Sequence, residues 1–536
     1  MENVRKGIRD RLSELPEYGI VIVLMPLHVL FILTVLVPRL GNLNLFDESF
    51  YITVGYLFHE GELPRFAHSP LVCLIYAITY AFVKEYSQWM LYCATAVRMM
   101  NFMLLWLALY LVSRQFRDRI PLPLPLFLFL CYPIADTLLT NPSYALFAAL
   151  SMLALSLVLQ DMKHPDSPAS MIMASLVLAG AALTRLDGIV LFFVLIPLCF
   201  FVSRGRWIGT LLELLLPFCS VLGGYFLLYY GYTGSWEHGV SARSYHAFEQ
   251  GEGVAYQHRY QGQDPLVEGE LRARQLYGTA EENRNSIINA VLRNPGACMK
   301  RIFYSIIHLP RQILRAYGKY WAIPLLFLAA VGSIQYLADR DRRLPVLCAW
   351  SLHLLIYGIT FFREEYFLLI YAIPLLLAAT GLWQWSRYGI RKWLLISENQ
   401  KSIFFLLVII AALIFRIHHM WDDLKMQKNI PSYEEVVLYL SEAHEMRQPV
   451  ATYAMGPIWA AKMVPVLLSG KRDIQNLEQL TSWLRGQKVE LVLVDELLQN
   501  REPEIYQIIQ SGLGAGFQLQ FQSSEERIMV FRLISD

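Results

Sequence analysis

The chain has 536 residues, of which 55% are hydrophobic and 17% charged, with a mean hydropathy of +0.38. With repeated apolar runs near the ~20 residues needed to cross a bilayer, these values exclude a single soluble core and predict a polytopic α-helical membrane protein. A formal net charge of +2 gives no field that would gather nucleic acid, which is excluded as a partner.

Arg5, Lys6, Arg9 and Arg11 precede a first apolar run at 18–38. It is as long as a full span and lacks a small-residue cleavage site, so it reads as a retained helix leaving the cytosol. Beyond it stands Asn44-Leu45-Phe46-Asp47-Glu48-Ser49-Phe50-Tyr51, with two adjacent carboxylates where apolar chain gives way to water. Phe50, Val54 and Leu57 follow at i, i+4 and i+7, which predicts an amphipathic helix on the membrane surface, with Tyr51 one turn past Asp47. Pro70 to Val83 is short for a span and predicts a second interfacial or re-entrant helix.

Spans are then expected at 91–113, 120–139, 143–160, 169–184, 189–202, 208–231, 320–337, 344–361, 366–385 and 402–417, about eleven with the first. Basic clusters at Arg114/Arg117/Arg119, Arg204/Arg206, Arg340/Arg342/Arg343 and Arg387/Arg391/Lys392 all fall on one side. That places the N-terminus in the cytosol and the C-terminus outside. The division is a membrane module, 1–430, with an outer Asp-Glu loop (41–90) and an outer insert (232–318), followed by an extracytoplasmic α/β domain (431–536). Strands are expected at 449–453, 489–495 and 528–533. Gly512, Gly514 and Gly516 follow a helix and not a strand, which argues against a nucleotide loop. Seven cysteines include no Cys-x-x-Cys, and His238, His246 and His258 have no metal-ligand spacing.

Ionisable residues at apolar helix ends are costly unless paired or wet, so they mark candidate sites. On the outer side these are Asp47, Glu48, Arg65, His68, Asp136, Arg185, Asp187, Arg363, Glu364 and Glu365. Carboxylates suit general-base activation of a hydroxyl, and arginines suit a phosphate. Each has a plainer alternative. The acids can simply cap a helix, Arg185 and Asp187 can pair with each other, and Arg363 with Glu364 and Glu365 can form a solvated turn. His68 can be a loop histidine, and Asn141 a turn residue.

Asp47-Glu48 with Tyr51, then Glu60-Gly61, then His68-Ser69-Pro70-Leu71, resembles the first outer loop of the GT-C superfamily of polyprenyl-phosphate-dependent glycosyltransferases. The similarity is to the branch holding protein O-mannosyltransferases and the lipid A aminoarabinose transferase. Thr184-Arg185-Leu186-Asp187-Gly188 looks like that family's helix-end Thr-Lys/Arg-x-x-Gly. Phe362-Arg363-Glu364-Glu365-Tyr366, followed by Ile373-Pro374, resembles its Arg-Tyr…Leu-Pro segment. In this sequence the family's second outer acid aligns with Asn141, leaving Asp136 as a substitute. Two acids separate Arg363 from Tyr366, and the long insert has no assigned counterpart.

The resemblance implies a GT-C-like helical bundle that transfers a sugar from a polyprenyl-phosphate carrier to a hydroxyl on the non-cytosolic face. Asp47 is then the general base and Glu48 its companion, orienting the acceptor or the neighbours of Asp47. Arg363 and Arg185, with Arg65 and His68, bind the lipid phosphate; Tyr51, Asp136, Asn141 and Tyr366 complete the site. Partners are the lipid-linked donor, a lipid, glycan or protein acceptor, and membrane lipids. No cofactor is expected: relatives with a divalent cation make one conceivable, and Asn141 in the second position disfavours it. A bacterial inner membrane is the expected location. The competing class is a transporter or flippase of lipid-linked sugars, against which stands the lack of paired halves with interrupted helices.

Overall fold

A computed structural model describes residues 25–26, 46–82, 86–132, 134–139, 141–163, 168–202, 206–236, 239–257, 265–318, 322–361, 363–385, 433–444, 447–454, 457–458, 461, 463–468, 474–524 and 527–534. The expected span at 402–417 lies outside these residues, and of that at 18–38 only Met25 and Pro26 are included.

The outer loop holds α1 (Phe46–His59) and α2 (Pro70–Tyr80), as the periodicity predicts, joined through a 3-10 turn at Phe66–His68. Pro70 opens α2, where a missing N–H leaves nothing unpaired. The bundle follows as α3 (Tyr86–Arg114), α4 (Pro123–Cys131), α5 (Ile134–Leu139), α6 (Pro142–Lys163), α7 (Ala169–Thr184), α8 (Asp187–Val202) and α9 (Trp207–Thr233). The insert contributes α10 (Val240–Ala255), α11 (Pro265–Tyr277), α12 (Ile287–Arg293) and α13 (Pro295–Ala316). The bundle resumes with α14 (Ala322–Ala338), α15 (Arg343–Ser351), α16 (Leu355–Ile359), a 3-10 turn at Glu364–Ile370 and α17 (Ala372–Gln384).

The expected count of about eleven spans is matched in part. Among the described residues, three helices are long and apolar enough to cross a membrane: Cys93–Arg114, Pro142–Lys163 and Trp207–Thr233. A fourth is added if Glu364–Ile370 and Ala372–Gln384, bent by 69°, form one broken span. The expected helix at 120–139 is split into α4 and α5. Tyr132, the residue before Pro133, is extended (ψ 148), as the ring of a following proline dictates. The expected helix at 344–361 is likewise interrupted by a 3-10 turn at Leu352–Leu354. α7, α8 and α14 are apolar but short, at 16, 16 and 17 residues.

The bundle core is continuous from Phe102 and Trp106 through Phe129 to Tyr371. Several of its polar groups are satisfied within the protein, as a medium without water favours: the Tyr371 hydroxyl donates to the Leu105 carbonyl at 2.5 Å, and Ser175 Oγ to that of Leu214 at 2.5 Å.

The C-terminal segment comprises α18 (Glu434–Ala443), β1 (Pro449–Thr452), β2 (Val464–Leu467), α19 (Leu477–Gly486), β3 (Leu491–Asp495), α20 (Glu496–Arg501), α21 (Pro503–Ser511), β4 (Phe517–Gln522) and β5 (Ile528–Leu533). The sheet order is β2-β1-β3-β5-β4, with β2, β1 and β3 parallel and β5 antiparallel to both neighbours. The three expected strands are present; β2 and β4 add the two edges. One apolar cluster joins Ile52 and Tyr76 of the outer loop to Tyr433, Leu440 and Val450, and Arg447 pairs with Glu62. The sheet domain and the Asp47–Glu48 turn therefore share one side of the molecule.

Candidate functional site

The first turn of α1 carries the adjacent acids. Glu48 is turned into the protein. Arg98 Nε on α3 donates to its Oε1 at 2.9 Å, Arg98 Nη2 to its Oε2, and the Tyr76 hydroxyl of α2 to Oε1 at 3.4 Å. The Arg98 and Glu48 side chains are 5% and 3% exposed, so this is a buried ion pair between α1 and α3. The side chains of Asp47 and Asp136 lie outside the described residues; their backbones sit in α1 and α5. Arg98 was not among the expected site residues. Its signal was a lone cation within an apolar run, which calls for a buried acid.

Farther along α1, Tyr51 accepts a hydrogen bond from Ser69 Oγ at 3.3 Å, and the Phe50 ring meets His68 edge-on at 5.0 Å. His68 lies in the 3-10 turn, half-buried. Burial first, then the positive charges of Arg243 and Arg65, push its pKa down to about 4. Arg65 and Arg243 are exposed, and neither has a carboxylate partner among the described residues. Arg243, on α10 of the insert, is the second residue missed from sequence. It is brought here by Gly239, whose φ of +68 turns the chain into α10 against Ala67 and Arg65. Farther along α10, Gly251 lies so close to the Thr360 carbonyl that an added Cβ would fall 1.7 Å from it. The insert thus bridges the first outer loop and the loop that carries Arg363.

A second cluster forms where α7 meets α8. Arg185 Nε donates to Asp187 Oδ2 at 2.6 Å and Nη2 to the Tyr357 hydroxyl at 3.3 Å. Its guanidinium lies 4.3 Å from the ring centre of Tyr144 and 5.5 Å from that of Tyr366, which stacks on Tyr357 at 3.9 Å. The self-pairing alternative for Arg185 and Asp187 is therefore the observed arrangement, within an aromatic cage. Asn141 Oδ1 accepts from Ser143 N at 3.0 Å and Oγ at 2.8 Å, a turn role at the start of α6. Arg363 is exposed, its guanidinium 4.9 Å from the Phe361 ring centre.

The clusters connect through α3. One turn past Arg98, Asn101 Nδ2 donates to the Pro142 carbonyl at 3.3 Å, beside Asn141 and two residues before Tyr144. Glu48, Tyr51, Arg65 and His68 thus assemble around α1–α2, and Arg185, Tyr366 and Asn141 around the cage. Among the described residues no three His, Cys, Asp or Glu side chains converge as a metal site would require.

No protein-family model and no curated protein matches the sequence. Solved structures do. ArnT from Cupriavidus metallidurans bound to undecaprenyl phosphate superposes with a TM-score of 0.53 at 13% identity, covering 95% of this chain and 98% of that one. The chain shares the fold of that structure. The archaeal oligosaccharyltransferase AglB from Archaeoglobus fulgidus, in complex with an inhibitory peptide and a dolichol-phosphate, shares it with a TM-score of 0.52 at 12% identity, over 90% of this chain and 69% of that one. A second structure of the A. fulgidus oligosaccharyltransferase, tethered to an acceptor peptide containing the NVT sequon, matches with a TM-score of 0.52 at 12% identity, over 91% and 70%. In this shared fold the approach of α10 to the Phe66–His68 turn is carried by Gly239, and its approach to Thr360 by Gly251, residues no short motif highlights.

Proposed function

We propose that this chain is a membrane glycosyltransferase that moves a sugar from a polyprenyl-phosphate carrier to a hydroxyl acceptor on the non-cytosolic face. Asp47 takes the hydroxyl proton as the acceptor oxygen attacks the anomeric carbon. The bond from that carbon to the phosphate oxygen breaks, and polyprenyl phosphate leaves with the electron pair. Arg65, Arg243 and Arg363 stabilise the charge gathering on the phosphate, with neutral His68 alongside. Glu48, both oxygens occupied, positions the turn that presents Asp47. Arg185, held by Asp187 and the tyrosines, stiffens the opposite wall with Tyr366 and Asn141, and Tyr51 fixes α1 to Ser69.

The observation that supports this reading most is a pair of arginines, from two separated segments, both near His68 and neither with a carboxylate partner among the described residues. Two exposed guanidinium groups on one side of a half-buried histidine make a positively charged surface that an anion complements. The fold shared with ArnT bound to undecaprenyl phosphate agrees with that anion being a lipid phosphate. The test is transfer from a synthetic short-chain polyprenyl-phosphate sugar in detergent, with donor binding measured in parallel. Asp47→Asn abolishes transfer and leaves binding within a few-fold. Transfer at the wild-type rate by that variant defeats the assignment of the base, and no transfer by wild type with any such donor defeats the reaction class.

A further inference from the structure

The insert is expected on the outer side of the membrane, and two of its helices carry apolar faces unlike those of a water-soluble segment. On α13, Cys298, Arg301 and Ser305 form a buried face, while Met299, Phe303, Ile306 and Ile307 face away from the protein, between 56% and 65% exposed. On α12, Ile288 and Leu292, one turn apart, are each 71% exposed. Two amphipathic helices in tandem thus leave six large apolar side chains uncovered, beyond the scattered exposure that ordinary surfaces show.

The depth of α13 follows from where it is tied. Arg301 Nη2 donates to the carbonyl of Ile359, the last residue of α16, and Nη1 to that of Phe248 on α10 at 2.9 Å. Farther on, Arg315 pairs with Glu364 at 3.7 Å. At ~1.5 Å per residue these anchors lie about 21 Å apart along α13. Ile359 and Glu364, however, flank a single short loop at one end of the α15–α16 segment. A helix pinned at both places runs along that end of the bundle and does not rise away from it. Its apolar side continues onto Leu355 and Ile359, themselves 69% and 39% exposed. From Ile287 to Ala316 the sequence has Arg293, Lys300, Arg301, Arg311 and Arg315 and no acid.

We propose that α12 and α13 are an interfacial membrane anchor, with Phe303, Ile306 and Ile307 among the acyl chains and Lys300 and Arg311 at anionic headgroups. The occupant of this face is the bilayer boundary itself. Through Arg301 and Phe248 the anchor fixes α10, and with it Arg243.

The test uses the full chain in nanodiscs containing anionic lipid, in a background with the exposed Cys219 and Cys348 replaced by serine. An environment-sensitive fluorophore is attached to Phe303→Cys, to Ile307→Cys, and to Ser511→Cys on the sheet domain as a water-exposed reference. Nitroxide carried on the lipid acyl chain quenches the first two at least about twofold more than the reference, and aqueous iodide does the reverse. Iodide quenching at 303 and 307 equal to that at 511 overturns the proposal. So does protection that appears only when two copies occupy one disc, since the face would then be a contact between chains. The labels report location directly, so the outcome does not depend on turnover.

Discussion

Replacing Arg98 with glutamine leaves the Glu48 carboxylate 3% exposed, with one long hydrogen bond from Tyr76. A pair in water is worth about 0–1 kcal/mol. Burial changes the scale: removing one member of a buried pair costs about 3–5 kcal/mol, chiefly from the stranded charge. Glu48→Gln strands Arg98 and costs a similar amount. The double variant Glu48→Gln/Arg98→Met removes both charges and returns to within about 1 kcal/mol of wild type, a coupling of roughly 3 kcal/mol or more. Because membrane proteins of this size unfold irreversibly, the assay is the fraction remaining folded after heating at one fixed scan rate, by size-exclusion chromatography in one detergent. Turnover is read on the same samples. Single variants as stable as wild type refute the buried pair, and a double variant as unstable as either single refutes the compensation. A double variant that folds and transfers sugar confirms that Glu48 positions its turn; one that folds but is inert assigns Glu48 to the substrate.

Three further outcomes follow. Arg243→Gln weakens donor binding by about 1.5–3 kcal/mol, roughly ten- to a hundredfold, the range for a hydrogen bond to a charged group; titration of donor by isothermal calorimetry in detergent checks it. His68 has a folded pKa of about 4 against 6.5 unfolded, so its contribution to stability is full above pH 6.5 and is lost as pH falls through about 4. A phosphodiester keeps its charge over that range and stabilises protonated His68, so donor binding tightens as pH falls from 6.5 towards 4, and His68→Gln flattens that dependence. Chelation leaves turnover unchanged, because Arg98 already occupies the oxygens of the second acid; loss of turnover restored by one divalent ion contradicts this.

Much of this arrangement was legible in the chain. Phe50, Val54 and Leu57 marked α1, Pro70 marked the start of α2, and Arg185 and Asp187, two residues apart at a helix end, offered their pairing as the alternative to the phosphate-binding role that the resemblance implied. The strands β1, β3 and β5 showed as β-branched and aliphatic runs. β2 was hidden because it is four residues long and contains Pro465, tolerated only at an edge. β4, Phe-Gln-Leu-Gln-Phe-Gln, does alternate, but its mostly exposed faces give no strong apolar run. Among the described residues fewer helices reach span length than the expected eleven, because prolines and 3-10 turns break apolar runs that hydropathy reads as continuous. Arg98 and Arg243 were missed for opposite reasons. One is a lone cation whose partner lies far away in sequence, and the other is one arginine among many in a polar insert, singled out only by the fold.

The most direct test is a structure of the full chain in nanodiscs with undecaprenyl phosphate bound. The account predicts phosphate density between Arg65, His68 and Arg243, facing the first turn of α1. Phosphate held elsewhere, with Arg65 and Arg243 turned to water, contradicts it.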